Sequence, residues 1–440
     1  EILLVQGPPG TGKTALIAEA VRQLFFRHLW DPIDPEDPRP VLVLANTHRA
    51  ANEVILKLVG ACPELAPFAV RVGRVLGGME AEVAACVLAE RVGLREAVRA
   101  GSDLEARLKD CLFRGAVLHR HAGIFVATLA AAAAPELQGL AFRYVIVDEA
   151  GQATEPATLQ ALRRLPAGFG GALVLVGDHC QLPPVVEAAE APPLTSALAA
   201  GRGFKAGHSL KISLFERLAG RYPQRLIRLV EQYRMAWPIC ELVANTFYGG
   251  ALRPATPAVA DQAPPPGFDR HIFWVLTDGI PGALEQAAGI EEARSNPYEA
   301  EVAARVVTRL VGRGLPPDRV GVISPYRRQN TQIRQALAGL APDLAEQVRV
   351  DTVDRFQGGE RDAIVISLAA ANPQRNLGEL LADWRRLNVA VSRARRLVVI
   401  IGSRKTLTEP GPLDTPEART AKEYYRRLWA EVRRLAAAGA

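Results

Sequence analysis

Cysteine, lysine and long apolar runs are all scarce in this chain of 440 residues. Its five cysteines (Cys62, Cys86, Cys111, Cys180, Cys240) lie far apart, with no Cys-x-x-Cys pair. That spacing argues against a zinc site, an iron-sulfur cluster and a disulfide framework, so the cysteines read as reduced and buried. His119 and His121 lie near Cys111, but no second cysteine is spaced to complete a metal set. No uninterrupted apolar stretch approaches the roughly 18 residues of a membrane-spanning helix, and no basic-then-apolar leader opens the sequence. The expectation is a cytoplasmic, globular protein with no membrane partner. Only seven of the 53 basic residues are lysine, while Ala, Gly, Pro and Arg crowd the chain. Those four have GC-rich codons, which points to a prokaryotic, GC-rich genome and makes the alanine tract at 129–134 codon drift.

What is present suits a large α/β protein. Hydrophobic residues make up 49% of the chain, enough for two or three cores, and the net charge of +6 suits a polyanionic partner. Short Val/Ile/Leu runs alternate with helix-compatible segments, the pattern of parallel sheets covered by helices on both faces. A first set of runs falls at 2–5, 41–44, 124–127, 144–147 and 173–176. A second falls at 226–230, 272–276, 320–323, 348–353, 364–367 and 397–401. Two domains follow, 1–220 and 221–440, with the boundary near 220–224. An insertion at 62–121 carries helical spacing in Val83, Val87, Leu88 and Val92 and in Leu104, Leu108 and Leu112, and reads as a small helical subdomain. Pro-rich stretches at 31–40 and 254–266 read as loops. Tyr424, Leu428 and Val432 recur every four residues near the end of the chain, as in a packed surface helix.

The most informative segment is Gly7-Pro8-Pro9-Gly10-Thr11-Gly12-Lys13-Thr14, between an apolar run and a helix-compatible stretch. Glycines let successive backbone N–H groups turn toward phosphate oxygens, and the positive end of the next helix adds attraction. Lys13 can reach the outer phosphates and the Thr14 hydroxyl can ligate magnesium. The run 144–147 ends in Asp148-Glu149, a carboxylate pair suited to holding a metal through water (Asp148) and polarising the attacking water (Glu149). The run 173–176 ends in Gly177-Asp178-His179-Cys180-Gln181-Leu182-Pro183-Pro184. There Gln181 is placed to touch a terminal phosphate and the attacking water, and the prolines stiffen the exit. Arg234, in Gln232-Tyr233-Arg234-Met235, and Arg393, in Asn388 through Arg395, end elements of the other domain. That suggests a site between domains in which guanidinium groups meet a transferring phosphoryl group.

Taken in order, these motifs resemble the superfamily 1 helicases over nearly the whole chain. Asn46-Thr47-His48, Thr128, Ser324-Pro325-Tyr326 and the stretch from Thr352 to Glu360 complete the series. Asp148-Glu149-Ala150 and Gln232-Tyr233-Arg234-Met235 are similar to the branch of the nonsense-mediated decay RNA helicase and the eukaryotic DNA replication helicase/nuclease. The stretches from Thr47 to Leu58 and from Gly378 to Asn388 lean toward the latter. The resemblance implies two RecA-like domains, ATP and Mg2+ as cofactors, and 5′ to 3′ translocation. It implies that Gly7, Pro8, Gly10, Thr11, Gly12, Lys13 and Thr14 hold the nucleotide, with Thr14 and Asp148 on the metal. Tyr233 would stack on adenine, Arg234 and Arg393 would contact the terminal phosphate, and Glu360 the ribose. Asn46, Thr47, Thr128, Ser324, Pro325, Tyr326 and Thr352 would line the groove for the strand, where backbone contacts grip every sequence equally.

The family's adenine-reading segment, its barrel-like domain and the nuclease of the replication enzyme all precede the phosphate loop, where six residues stand here. The chain is expected to be the motor portion of a longer polypeptide. Its expected function is an ATP-dependent 5′ to 3′ DNA helicase acting on single-stranded DNA or a junction of single and double strands. An RNA helicase of the same branch is the first alternative. A nucleic-acid-binding ATPase switch that does not unwind is the second.

Overall fold

A computed structural model describes residues 1–30, 39–73, 78–87, 123–166, 171–186, 210–286, 294–356 and 358–438. The chain forms two compact units: Glu1–Gly7, Gly12–His179 and Pro183–Arg228 in the first, and Leu229–Ala440 with Pro8–Thr11 and Cys180–Leu182 in the second.

In the first unit the apolar runs become β1 (Ile2–Gln6), β2 (Arg39–Ala45), β3 (Ala69–Arg71), β4 (Ile124–Thr128), β5 (Phe142–Val147), β6 (Ala172–Gly177) and β7 (Leu226–Arg228). They pair in the order β3-β4-β2-β5-β6-β1-β7, every ladder parallel. Burial on both faces is why these strands read as continuous Val/Ile/Leu runs rather than alternating ones. Helix α1 (Lys13–Trp30) leaves β1, and α2 (His48–Ala61) leaves β2, with the Thr47 hydroxyl accepting from Ala50 N at 3.1 Å as its N-cap. The register sets Gln6 beside Gly177, Leu44 beside Val147 and Ala45 beside Thr128. The polar loops after β1, β2, β4, β5 and β6 therefore emerge at one carboxyl end of the sheet, where α/β proteins bind ligands.

The second unit holds a small pair, β8 (Glu231–Gln232) with β9 (Arg253–Pro254). Its main sheet comprises β10 (Ile272–Leu276), β11 (Val320–Ile323), β12 (Arg349–Asp351), β13 (Arg361–Ser367) and β14 (Ala394–Gly402), ordered β10-β14-β13-β11-β12 and all parallel. Alternate residues serve two cores, as the strand period of two requires. Ala363, Val365, Leu397 and Val399 pack under α4 (Pro297–Gly312) and α5 (Arg327–Leu340). Ile364, Ile366, Val398 and Ile400 pack against α3 (Trp237–Phe247), α6 (Trp384–Val391) and α7 (Pro416–Ala437). Helix α7 is the surface helix expected from its spacing, burying Tyr425, Leu428, Val432 and Leu435. Tyr424 stacks on Trp384 at 4.0 Å and on Phe247 at 5.8 Å.

Several expectations are corrected. The run at 226–230 does not open the second sheet. Its residues 226–228 pair with β1 and close the first, because a buried parallel strand has no local mark of which sheet it joins. The insertion at 62–121 is not helical from its start, since Pro63–Phe68 is a 3₁₀ turn and Ala69–Arg71 an edge strand pairing with β4. Only Ala81–Cys86 is helical among its described residues, and Val87 bridges to Arg71. The rest, with Leu88, Val92, Leu104, Leu108, Cys111, Leu112, His119 and His121, lies outside the described residues, as do 31–38. Cys62 is half-exposed, donating to Glu64 at 3.1 Å, whereas Cys86, Cys180 and Cys240 are buried thiols outside any disulfide. The stretch 254–266 includes the end of β9 and a helical turn, Pro257–Ala260. No helix among the described residues is long and apolar enough to cross a membrane.

Candidate nucleotide site and strand-binding segments

The phosphate loop starts where β1 stops pairing: Gly7 N donates to Gly177 O at 2.9 Å. Gly10 and Gly12 both take φ of 76°, the left-handed region that disfavours any side chain. The Thr11 hydroxyl donates to Pro8 O at 2.8 Å and closes the turn. A Cβ on Gly10 would stand 2.8 Å from the Arg234 Cβ, and Tyr233 N donates to Gly10 O at 2.9 Å, so this part of the second unit has no room for a bulkier loop. Lys13 opens α1 with its Nζ donating to Gly7 O at 3.0 Å and 3.5 Å from the Glu149 carboxylate. Thr14 follows in the first helical turn.

Asp148 and Glu149 leave the end of β5 in different environments. Asp148 is buried and accepts from Glu149 N at 2.9 Å. Burial first, then the adjacent Glu149 charge, push its carboxyl up to about 7, against the pull of Lys13. Glu149 sits at φ 50°, a left-handed conformation costing about 1 kcal/mol or more for a side-chain-bearing residue. It is held there by Asn46, whose amide donates to Glu149 O at 3.1 Å, while Gln152 donates to its carboxylate at 3.1 Å. The β5 and β6 loops touch backbone to backbone. A Cβ on Gly177 would lie 2.6 Å from Gly151 N, and one on Gly151 would lie 2.9 Å from Asp178 O. Beneath them Gln6 donates to Asp178 at 3.1 Å.

In the second unit, Gln181 is buried and the preceding Cys180 O accepts from Asn388 at 2.6 Å. Tyr233 presents an exposed ring (55%). Arg234 donates through Nε to Glu360 at 2.6 Å and through Nη1 to Ser392 O at 3.0 Å, and Arg395 reaches the other Glu360 oxygen at 3.3 Å. Burial acts to raise the Glu360 carboxyl, but Arg234, Arg395 and Arg393 outweigh it and hold it below the usual range. Arg393 is itself buried, donating to Gly359 O at 3.4 Å. The expected motif residues Gly10, Gln181, Tyr233, Arg234, Glu360 and Arg393 are thus brought into one unit. Gln357 lies outside the described residues.

The strand-lining expectations divide. Thr47 is exposed and Thr352 half-buried. The side chains of Ser324, Pro325 and Tyr326 are enclosed, which leaves their backbone as the part available to a strand. The Tyr326 ring lies under the Arg294 guanidinium at 5.5 Å with its hydroxyl directed at Leu377 O, because an aromatic at the end of a buried strand completes the core. The surface there belongs to Arg327 and Arg328, the first residues of α5, which motif reading passes over because they lie beyond the Ser-Pro-Tyr signature. Thr128 is likewise buried, its hydroxyl capping the turn Leu129–Ala133. The alanine tract is therefore structured, whatever its codon origin. Asn46 turns its amide to Glu149, a positioning role that no spacing in the sequence announces.

Comparison with known proteins finds matches along both units. A family model described as an AAA domain matches residues 1–100 and 94–189, and a second of that description matches 210–405. The chain is 29% identical over 421 residues to a DNA replication ATP-dependent helicase/nuclease of Arabidopsis thaliana, 92% of this chain and 27% of that protein. It is 31% identical to a regulator of nonsense transcripts 1 homolog of Drosophila melanogaster, covering 92% and 33%. It is 34% identical to the ATP-dependent helicase NAM7 of Saccharomyces cerevisiae, covering 92% and 40%. The chain spans between 27% and 40% of the length of these three relatives.

Proposed function

The chain belongs to the superfamily 1 helicases, in the branch of the nonsense-mediated decay RNA helicase and the eukaryotic DNA replication helicase/nuclease, and from that membership we propose that it is an ATP-driven motor moving 5′ to 3′ along single-stranded DNA. The observation that carries the reading is the convergence of Lys13, Asp148 and Glu149 at one end of one parallel sheet. Two glycines at φ 76°, a lysine at the helix start and a carboxylate whose ionised form is destabilised by burial fit a magnesium-nucleotide pair. Gly7 through Thr14 would hold the phosphates, and Thr14 and Asp148 the divalent ion, which neutralises charge on the phosphate oxygens. Glu149 orients and deprotonates the attacking water, fixed by its left-handed backbone and by Gln152. Lys13, Arg234 and Arg393 offset charge on the terminal phosphate, Gln181 senses it, Tyr233 stacks on the base and Glu360 meets the ribose.

Asn46 supplies a link to the strand. It lies between exposed Thr47, proposed to touch the strand, and Glu149 O, which it holds at 3.1 Å. A strand seated against the β2–α2 turn would tighten Asn46 and with it the position of the base. Thr352, Arg327 and Arg328 contribute contacts from the second unit, where buried Ser324, Pro325 and Tyr326 shape the backbone, and buried Thr128 does the same in the first. ATP hydrolysis with and without single-stranded DNA, and unwinding of duplexes with a 5′ or a 3′ overhang, test the proposal. Strand-stimulated hydrolysis and unwinding from the 5′ overhang are expected. Unwinding from the 3′ overhang alone, or hydrolysis indifferent to nucleic acid, overturns it. An RNA-directed motor is the second reading, favoured by the RNA-named relatives and by the absence of a 2′-hydroxyl reader among the assigned contacts. Competition between matched DNA and RNA oligonucleotides separates the two.

A further inference from the structure

The second unit contains a cavity of about 550 Å³ that none of the motifs uses. It opens past the carboxyl ends of β10, β13 and β14, between the loop that starts at Thr277, the loop 368–377 and the segment 403–409. Its walls are set before any ligand arrives. Glu285 accepts from Ala371 N at 3.0 Å and from the Asn372 amide at 2.8 Å, Asn372 N donates to Thr406 at 3.2 Å, and Lys422 grips Arg375 O at 2.7 Å. Two residues with side chains, Ala369 at φ 52° and Arg375 at φ 56°, are held left-handed in this loop. Strain of that kind persists only where the surroundings impose it, and it gathers at binding sites.

The lining is specific in what it leaves open. Asp278 is already committed to the Ser403 hydroxyl at 2.7 Å and to Arg404 N and Lys405 N at 2.9 and 3.0 Å. Glu409 is shared by Arg375 at 3.2 Å and Arg404 at 3.4 Å. Lys405 is exposed and makes no ion pair among the described residues. The Thr277 hydroxyl is buried with no hydrogen-bond partner among the described residues, an orphan of the kind a ligand completes. The same lining includes Pro281, Leu284 (58% exposed) and Pro373. A cation and a hydroxyl without partners among the described residues, together with apolar lining residues, fit a group with a phosphate at one end and a planar ring at the other.

We propose that this cavity binds a single nucleotide, its phosphate at Lys405, its sugar or base edge at the Thr277 hydroxyl, and its base against Pro281, Leu284 and Pro373. The strand is the source favoured by the fold, and in that form the inference rests on the nucleic-acid motor reading. Ser324 through Tyr326 and Thr352 leave the same carboxyl end of the same sheet, and Arg294 and the Tyr326 hydroxyl both reach Leu377 O, at 2.8 and 3.5 Å, at the end of the loop that walls the cavity. A nucleotide seated there would add one phosphate and one base to the grip of the second unit.

Binding of fluorescently labelled thymidine oligonucleotides of increasing length, followed by anisotropy at several salt concentrations, tests this with the wild-type chain, Lys405→Ala and Thr277→Val. The expected result is weaker binding of long but not short oligonucleotides in both variants. Lys405→Ala should also lower the slope of log affinity against log salt by about 0.7, one single-strand phosphate contact. Thr277→Val removes an unpaired hydroxyl at constant shape, so it should lose affinity with the slope unchanged and the fold intact. Hydrolysis of ATP without nucleic acid should be the same in all three. Wild-type affinity and slope in both variants at every length overturns the proposal. If the wild-type chain binds no oligonucleotide, the motor reading fails on its own. Thymidine monophosphate, titrated in a thermal-shift assay, then decides the cavity: stabilisation lost in Lys405→Ala supports a free-nucleotide site, and no stabilisation refutes it.

Discussion

Replacing Gly177 by alanine tests whether the two polar loops of the first unit must touch for the enzyme to work. Gly177 ends β6, and a Cβ there would stand 2.6 Å from Gly151 N and 3.1 Å from Ala150 N. Both are backbone atoms, so no flexible side chain can swing aside. Ordinary contact begins near 3.4 Å, and the Ala150–Gln152 turn would have to retreat by about 0.8 Å. That turn directly follows Glu149, whose strained φ of 50° depends on Asn46 and on the Asp148 carboxylate staying in place. Overpacking of this kind destabilises by about 1–3 kcal/mol, which leaves a folded protein. Misplacement of a catalytic group by about 1 Å can lower turnover about 100-fold. The expected outcome is therefore a chain with a modestly lowered denaturation midpoint, near-normal nucleotide affinity and ATP hydrolysis reduced by about 10- to 100-fold. Gly220→Ala serves as the control, because nothing lies within 4 Å of a Cβ in that helix. Steady-state hydrolysis of both variants with single-stranded DNA makes the comparison. Wild-type turnover in Gly177→Ala would refute the argument that backbone contact between these loops fixes the base.

Lys13→Ala and Glu149→Gln should each abolish turnover, the second while still binding a fluorescent ATP analogue, and normal hydrolysis by Glu149→Gln would remove Glu149 from the role of base. Glu299 is fully buried, and burial pushes its carboxyl up to about 7 despite bonds from Ser367 and Ala369 N. The folded state then retains a proton that the unfolded chain releases near 4.5, so stability falls as pH rises from about 4.5 to about 7, by on the order of 3 kcal/mol. Urea midpoints across that window should show the slope in the wild-type chain and a shallower one in Glu299→Gln, where the raised carboxyl of Asp148 still contributes. Trp384→Ala removes the centre of the stack with Tyr424 and Phe247 and should cost about 3 kcal/mol in a denaturant titration.

The phosphate loop was legible residue by residue because its chemistry is local. The two glycines, the lysine and the threonine act within one turn, and their order along the chain is their order in space. Most strands were legible for a similar reason, since burial on both faces demands unbroken apolar runs. Residues 226–228 show where this stops. The run is a strand in either sheet, and only pairing with β1 decides the choice. Ser324-Pro325-Tyr326 shows the same limit at the site, for a motif names residues and does not say which way they turn. The exposed side chains at that turn are those of Arg327 and Arg328, one step further on.

The sequence by itself determined that the chain is a parallel α/β protein with a nucleotide cradle, a carboxylate pair and arginine-bearing motifs in one fixed order. Those features are set by backbone dihedrals, burial patterns and residue types that act over a few positions. Only the tertiary structure decided that Asn46 holds Glu149, that Gly151 and Gly177 leave no space between two loops, that Glu360 draws in Arg234 and Arg395, and that Thr277 and Lys405 share a cavity. Each joins positions between 26 and 128 residues apart along the chain, at spacings that no periodicity marks. Such encounters depend on strand order and register, which are settled by packing of the whole sheet rather than by any short stretch of it.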